Sequence, residues 1–328
     1  MQGDIDGAVR IAGLAFNFTW RWRTDDVEKF RDVAGWDEVE MLSQGLGVDF
    51  GTGLNITPAI ARATYDPTFF ERRHSPKQQV TELSVRVTDR VDANNPESWP
   101  KLIDTFAEIA DRLTAELKKP DVATPGPRPS VRWTRARVVL TLEIGAESVM
   151  LRIVNPLYQR WWDELLAHED SDDFEDEDED AEDLNDLQVP QTWEAYSKAL
   201  AVTMTRLPGN GVLVLGSTTK NVVEIEAGGF SIECRVTAGT GSPAEQHISP
   251  SEWSEMADKG WSAPSSRANA WERSLRWPAS YHEFEATADA VVEAVRLVLR
   301  PSRPSDIHVD GWMDLSDDRP DLSALGVA

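Results

Sequence analysis

An acidic run near the middle of the chain constrains the fold more than any other feature. From Glu169 to Asp186 there are 13 acidic residues and no basic ones. A segment with so many like charges and so few apolar residues cannot bury enough surface to fold by itself. The sequence therefore predicts an acidic, disordered linker over 168–188. The chain has 328 residues, so each flanking lobe is long enough to bury its own core.

The net charge of −24 is concentrated in this run. Residues 1–168 carry 21 Lys+Arg against 25 Asp+Glu, and residues 187–328 carry 12 against 19. Neither lobe has a stripe of basic residues, so direct binding to a nucleic-acid backbone is not expected. The single cysteine, Cys234, excludes an intramolecular disulfide. The N-terminus lacks the pattern of a signal peptide and no apolar run approaches the ~18–20 residues of a membrane span, so we expect a soluble cytoplasmic protein.

The first lobe, 1–167, mixes helical and strand patterns. Apolar stripes predict helices over Ile5–Phe16, Thr24–Ala34 and Ser98–Leu117. Strict alternation predicts a strand over Val80–Asp89, and a hairpin is expected from Arg137–Ile144 and Val149–Val154. A closing helix carries Tyr158, Trp161, Trp162, Leu165 and Leu166 into the acidic run.

The second lobe, 189–302, repeats this order of elements, and 303–328 is expected to be a loose tail. Its predicted elements are a helix over Thr192–Leu207, strands over Val212–Leu215, Val222–Glu226 and Phe230–Val236, a short helix ending at Gly260, and a long helix over Tyr281–Leu299. Each lobe is therefore predicted to have an α+β fold, in which helices pack on one face of an antiparallel sheet. A parallel doubly wound sheet would require strands alternating with crossover helices.

Motifs of known catalytic chemistry are missing from the sequence. Neither a Walker A loop nor a strand-linked Gly-x-Gly-x-x-Gly is present, and Gly45-Leu46-Gly47, Gly51 and Gly53 are interpreted as loop and turn residues. The five histidines form no pair at metal-ligand spacing. Cys234 lies on the predicted inward face of a strand, where an inert thiol is expected. The sequence therefore predicts no enzyme, no metal site and no cofactor.

Two short motifs place tryptophan beside arginine, as interface hot spots often do. They are Trp20-Arg21-Trp22 and Arg160-Trp161-Trp162. The alternative is that the rings face the core and the arginines shield them. Trp253, Trp261, Trp271 and Trp277 fall within 25 residues and favour a packed aromatic shelf instead. The candidate protein-binding residues are Trp20, Trp22, Arg160, Trp161 and Trp162, together with Asp176, Asp178 and Asp180 of the acidic run.

The C-terminal segment contains Lys259-Gly260-Trp261, Pro264, Asn269-Ala270-Trp271 and Trp277-Pro278 before a long apolar helix. This pattern, over 190–302, resembles the TY-Chap family of Tir-chaperone/YbjN-like domains common in actinobacteria. The family pattern has Leu where Lys259 stands, and its aromatic residue follows Asn without an intervening Ala270.

The first lobe is similar to an uncharacterised actinobacterial family in a few short motifs. Among the residues that carry this likeness are Trp20-Arg21-Trp22, Val33-Ala34-Gly35-Trp36 and Val131-Arg132-Trp133. Its order of elements is also that of type III secretion chaperone-like folds. The two lobes are therefore candidates for divergent copies of one architecture.

The TY-Chap resemblance implies a non-catalytic chaperone or adaptor that binds a protein, in a secretion or toxin system. Its partner would then be a secreted effector or toxin encoded nearby. An alternative is an immunity protein that neutralises a cognate toxin, with the acidic run mimicking nucleic acid or steering a basic toxin. A third hypothesis, an enzyme, would require a pocket with convergent ionisable groups.

Overall fold

The computed structural model describes residues 1–38, 47–92, 95–169, 189–217, 220–236, 250–264, 270–313 and 319–327. The chain divides into two compact units, Met1–Ala123 with Ser130–Glu179 and Thr124–Pro129 with Asp180–Ala328. We call them the N-terminal and C-terminal lobes. Nearly all of the predicted linker lies outside the described residues, so its disorder and the proposed domain boundaries stay predictions.

The described part of the N-terminal lobe combines helices with an eight-stranded sheet. The helices are α1 (Ile5–Asn17), α2 (Thr24–Ala34), α3 (Pro67–Arg72), α4 (Ser98–Leu117) and α5 (Pro156–Glu169). The strands are β1 (Asp37–Glu38), β2 (Gly47–Gly51), β3 (Ile60–Tyr65), β4 (Val80–Arg86), β5 (Val122–Thr124), β6 (Ser130–Arg135), β7 (Val138–Ile144) and β8 (Val149–Val154). Their order in the sheet is β1-β2-β3-β4-β8-β7-β6-β5. Each pair of neighbours in the run β1-β2-β3-β4-β8-β7-β6 is antiparallel.

One face of this sheet forms the core of the lobe. Leu83, Leu140 and Leu151 lie on neighbouring strands and are completely buried. The helices α1 and α4 pack against this face and bring Ile11 and Phe106 into the same core. Because successive strand residues point to opposite faces, the alternation in the sequence is what makes this face apolar.

The opposite face of the N-terminal sheet is polar and carries arginine–carboxylate pairs. Arg62 on β3 donates two hydrogen bonds to Asp49 on β2, at 2.7 and 3.1 Å. Arg132 on β6 pairs with Asp163 of α5 at 2.8 Å. The helix α5 therefore contacts this face through an ion pair.

The described part of the C-terminal lobe combines three helices with a smaller sheet. Its described helices are α6 (Trp193–Arg206), α7 (Pro250–Asp258) and α8 (Tyr281–Leu299). Its strands are β9 (Gly211–Ser217), β10 (Lys220–Ala227), β11 (Ser231–Val236), β12 (Trp271–Arg276) and β13 (His308–Met313). They follow the antiparallel order β12-β11-β10-β9-β13.

The core of the C-terminal lobe lies between the sheet and α8, which packs against α6. Ile225, Cys234 and Phe284 are buried there. Ser280 and Glu283 form a capping box that fixes the start of α8, since each side chain accepts the backbone amide of the other residue. The predicted fold class, α+β with two antiparallel sheets and helices, is confirmed.

Seven of the described strands, β1, β2, β3, β5, β6, β12 and β13, were not predicted, and three of them lie where the sequence favoured other structure. β13 lies in the segment expected to be a loose tail, since residues 308–313 pair with β9 and alternate between exposed and buried side chains. β2 spans Gly47 to Gly51, which were interpreted as loop glycines. β12 begins at Trp271, where an aromatic shelf without a strand was expected. In each case pairing with a neighbouring strand outweighs the local signal of glycine, proline or tryptophan.

Candidate binding surfaces

The loop between α1 and α2 holds Trp20 and Trp22 in the interior. Both side chains are 2% exposed, and their rings stack with centroids 4.8 Å apart. Trp20 Nε1 donates to the Ala15 carbonyl and Trp22 Nε1 donates to the Arg137 carbonyl, each at 2.8 Å. This burial favours the alternative in which the rings pack in the core.

The predicted residues Arg160, Trp161 and Trp162 lie on α5, where they are partly exposed. The Trp161 ring lies 5.0 Å from Phe69 and 5.4 Å from Tyr158, and Trp162 is 40% exposed. These rings form a shelf on the lobe surface, which we call the α5 shelf. Asp176, Asp178 and Asp180 lie outside the described residues.

A cleft of about 570 Å³ brings Trp20, Trp22 and Arg160 together. The β6–β7 turn, the residues before β4 and the start of α5 complete it. We call it the basic cleft, because its lining includes five basic side chains and no acidic one among the described residues. It is lined by Thr19, Trp20, Arg21, Trp22, Arg23, Lys77, Gln78, Ala136, Arg137, Asn155, Pro156, Leu157 and Arg160.

Two of the five cations are paired with carboxylates of α2. Arg21 donates to the buried Asp26 at 3.0 Å, and this hydrogen bond raises the pKa of the Arg21 guanidinium. Arg23 pairs with Asp25 at 3.2 Å. A hydrogen bond from Lys29 lowers the pKa of Asp25, so this carboxylate stays charged.

The remaining three cations, Lys77, Arg137 and Arg160, are exposed and make no ion pair within the described ranges. Arg160 donates only a long hydrogen bond, 3.4 Å, to the Pro156 carbonyl. Among the described residues, the positive charge of these three side chains is therefore uncompensated. Its described lining offers no His, Cys, Asp or Glu that could serve as a general base.

A second cleft of about 360 Å³ is lined by Trp161, which follows Arg160 on α5, and by Asp66 at the start of α3. Trp161 and Phe69 form its aromatic wall, and the basic residues Arg72 and Arg73 stand beside them. The Arg73 guanidinium lies over the Phe69 ring at 5.8 Å and is 3.8 Å from Glu164. Successive residues of α5, Arg160 and Trp161, thus line two neighbouring clefts.

In the C-terminal lobe, β13 is one of the two edge strands of the described sheet. His308, Asp310 and Trp312 alternate with more buried neighbours, and Trp312 is 39% exposed. The Gly311 amide donates to the Asp310 carboxylate at 2.8 Å. This hydrogen bond occupies a main-chain donor of the edge strand, which is one way in which proteins limit pairing at a sheet edge.

The thiol of Cys234, on β11 of the C-terminal lobe, is not placed to react. Cys234 is completely buried between β10 and β12, and burial raises the pKa of its thiol to about 12. Throughout the described residues, no three His, Cys, Asp or Glu side chains group so that they could hold a metal ion. None of the described helices is long and apolar enough to cross a membrane.

Sequence reasoning missed Lys77, Arg137 and Asn155, which line the basic cleft. They lie on three segments that meet only through the strand order β4-β8-β7. No local signal distinguishes them from other surface residues. The alternation from His308 to Trp312, by contrast, is a strand signal that could have identified the β13 edge.

Residues 186–313 match a family model described as T3SS (YopN, CesT) and YbjN peptide-binding chaperone 3, or TY-Chap3. This confirms the resemblance found in the sequence and extends it through β13. Residues 6–155 match a family of unknown function, DUF6301. Neither the curated proteins nor the solved structures gave a match. The C-terminal lobe is therefore similar, across its whole sheet, to the TY-Chap3 peptide-binding chaperone family, and the N-terminal lobe is similar to a family whose function is not known.

Proposed function

We propose that this chain is a non-catalytic, peptide-binding chaperone or adaptor, and that its C-terminal lobe pairs a segment of a partner protein along β13. The match of residues 186–313 to a peptide-binding chaperone family carries the proposal. An extended peptide that adds to a sheet edge gains main-chain hydrogen bonds, and alternate side chains contact the host strand. The exposed ring of Trp312 on β13 would contact such side chains.

The partner in this proposal is a secreted or toxic protein encoded nearby. The family description names YopN and CesT of type III secretion, which supports a secreted client. The proposal places the complex in the cytoplasm, where Cys234 stays reduced.

Co-purification from the native host tests the proposal. The wild-type chain should retain a protein partner that is lost or weakened when Trp312→Ala removes the exposed ring beside β13. Trp162→Ala is the matched control, because Trp162 is equally exposed but lies in the N-terminal lobe. Recovery of the same partner by both variants, or of no protein above background, would contradict pairing along β13.

The acidic run supports a second candidate, an immunity protein that captures a basic toxin by electrostatic attraction. Thirteen acidic residues within Glu169–Asp186 would raise the association rate at low salt. Replacing the run with an uncharged spacer should then slow association and flatten its salt dependence. Unchanged rates in stopped-flow mixing would leave the run as a spacer and remove this candidate.

A further inference from the structure

We propose that the basic cleft binds an acidic peptide segment, with Lys77, Arg137 and Arg160 as its carboxylate-binding groups. These three side chains reach the cleft from the turn before β4, the β6–β7 turn and α5. They form no ion pair with the rest of the described chain. An uncompensated cluster of cations in a concave site attracts anions, and it does so here on a lobe whose overall charge is slightly negative.

Hydrogen bonds fix the backbone around Trp22 and the side chain of Asn155 in the walls of the cleft. Trp22 adopts φ +62°, which is rare for a bulky residue and persists only where its surroundings enforce it. Its carbonyl accepts the amides of Gln79 and Val80 at 2.9 and 3.1 Å. On the opposite wall, Asn155 donates to Gln78 and to the Val80 carbonyl.

The lining does not form a loop that binds phosphate through backbone amides, which leaves its side-chain cations as the anion-binding groups. Phosphate sites use free backbone amides, commonly in glycine-rich loops. Here the lining contains no glycine among its described residues, and nearby amides are already engaged. Arg21 and Arg23 donate their amides to Asp26, and Leu157 donates its amide to Asn155.

The number of cations also favours a peptide with several carboxylates. One exposed ion pair changes affinity by only roughly two- to fivefold, so a single carboxylate would bind weakly. A segment that meets Lys77, Arg137 and Arg160 together multiplies these factors.

This binding does not depend on β13, so it and the proposed function can fail separately. The test is a fluorescence anisotropy titration of the full chain with a labelled peptide of alternating Glu and Ala. The Gln counterpart of this peptide should not bind. The variant Lys77→Gln/Arg137→Gln/Arg160→Gln should weaken binding of the Glu peptide roughly 10- to 100-fold, whereas Trp312→Ala should leave it unchanged.

The matched control is Arg90→Gln/Lys101→Gln/Arg112→Gln, which removes one lysine and two arginines from exposed positions elsewhere in the same lobe. It should change affinity by no more than about twofold. Circular dichroism establishes that both triple variants are folded. Failure of the wild-type chain to bind the Glu peptide, equal losses in both triple variants, or displacement by inorganic phosphate at the peptide's own concentration would each overturn the proposal.

Discussion

The two lobes each place one arginine between two glutamates on the polar face of the sheet, but they bury these groups differently. In the N-terminal lobe, Arg152 on β8 donates to Glu82 on β4 and to Glu143 on β7, so the cluster joins three strands. Arg152, Glu82 and Glu143 are 28%, 17% and 29% exposed. Burial lowers the pKa of Arg152, but the two carboxylates outweigh it and raise the pKa overall.

In the C-terminal lobe, Arg235 on β11 donates to Glu224 and Glu226, which both lie on β10. The cluster therefore joins two strands only. Arg235, Glu224 and Glu226 are 38%, 43% and 38% exposed, and the hydrogen bond to Glu226 is the main cause that raises the pKa of Arg235. Solvent screens these charges more than those around Arg152.

The same arrangement of one arginine and two glutamates therefore contributes differently to the stability of the two lobes. Removing one partner of a buried ion pair is costly because it leaves uncompensated charges, whereas exposed pairs contribute little. We infer that the polar face of the N-terminal sheet contributes to stability through Arg152. The corresponding face of the C-terminal sheet, which includes Trp312 on β13, is less constrained by its ion pairs.

We expect the largest effect from substitutions in the two cores. Each substitution should destabilise its own lobe by a similar amount and leave the other lobe unchanged. Phe106→Ala in α4 and Phe284→Ala in α8 each remove a completely buried ring, which costs about 3–5 kcal/mol of unfolding free energy. Hydrogen exchange, measured separately for peptides of α4 and α8, should accelerate in the mutated lobe only. Equal acceleration in both helices for either variant would show that the lobes unfold as one unit.

Substitutions in the two arginine clusters should reduce the free energy of unfolding by different amounts in the two lobes. Arg152→Met leaves Glu82 and Glu143 without their cation in a half-buried site, and should cost about 2 kcal/mol. Arg235→Met should cost less than about 1 kcal/mol, because its glutamates are solvated. Urea denaturation followed by circular dichroism measures both values. Equal costs would remove the distinction between the two polar faces.

An effect comparable to those of the arginine clusters is a pH dependence that only the C-terminal lobe should have from its thiol. Burial holds the pKa of Cys234 at about 12 in the folded state, above its ordinary value, so the thiol ionises first in the unfolded chain. Its contribution to stability is complete below pH ~9 and decreases as pH rises further, by at most about 1.4 kcal/mol per pH unit. Urea denaturation at pH 7.5 and about 10 should show a smaller loss for Cys234→Ala than for wild type. Identical losses would contradict this assignment.

Sequence patterns predicted the elements that carry strong periodicity. The apolar stripe through Leu102, Phe106 and Leu113 placed α4, and the alternation from Val80 placed β4. Each of these signals is local, because a helix or strand that covers a core repeats its apolar residues at its own period.

Features that depend on long-range pairing were missed. β13 lies between proline- and aspartate-rich segments, and only its register with β9 makes it part of the sheet. Sequence could not decide whether Trp20 and Trp22 bind a partner, since tryptophan serves both cores and interfaces. Their burial depends on hydrogen bonds to Ala15 and to Arg137, and Arg137 lies 115 residues from Trp22.

Hydrogen–deuterium exchange of the chain with and without its co-purified partner tests peptide pairing at the β13 edge most directly. Amides within His308–Met313 should exchange more slowly in the complex, because a paired strand adds main-chain hydrogen bonds there. Amides of β12, at the other edge of the same sheet, should be unchanged and serve as the internal control. Protection of β12 alone, or of the N-terminal lobe without β13, would contradict the proposed mode of binding.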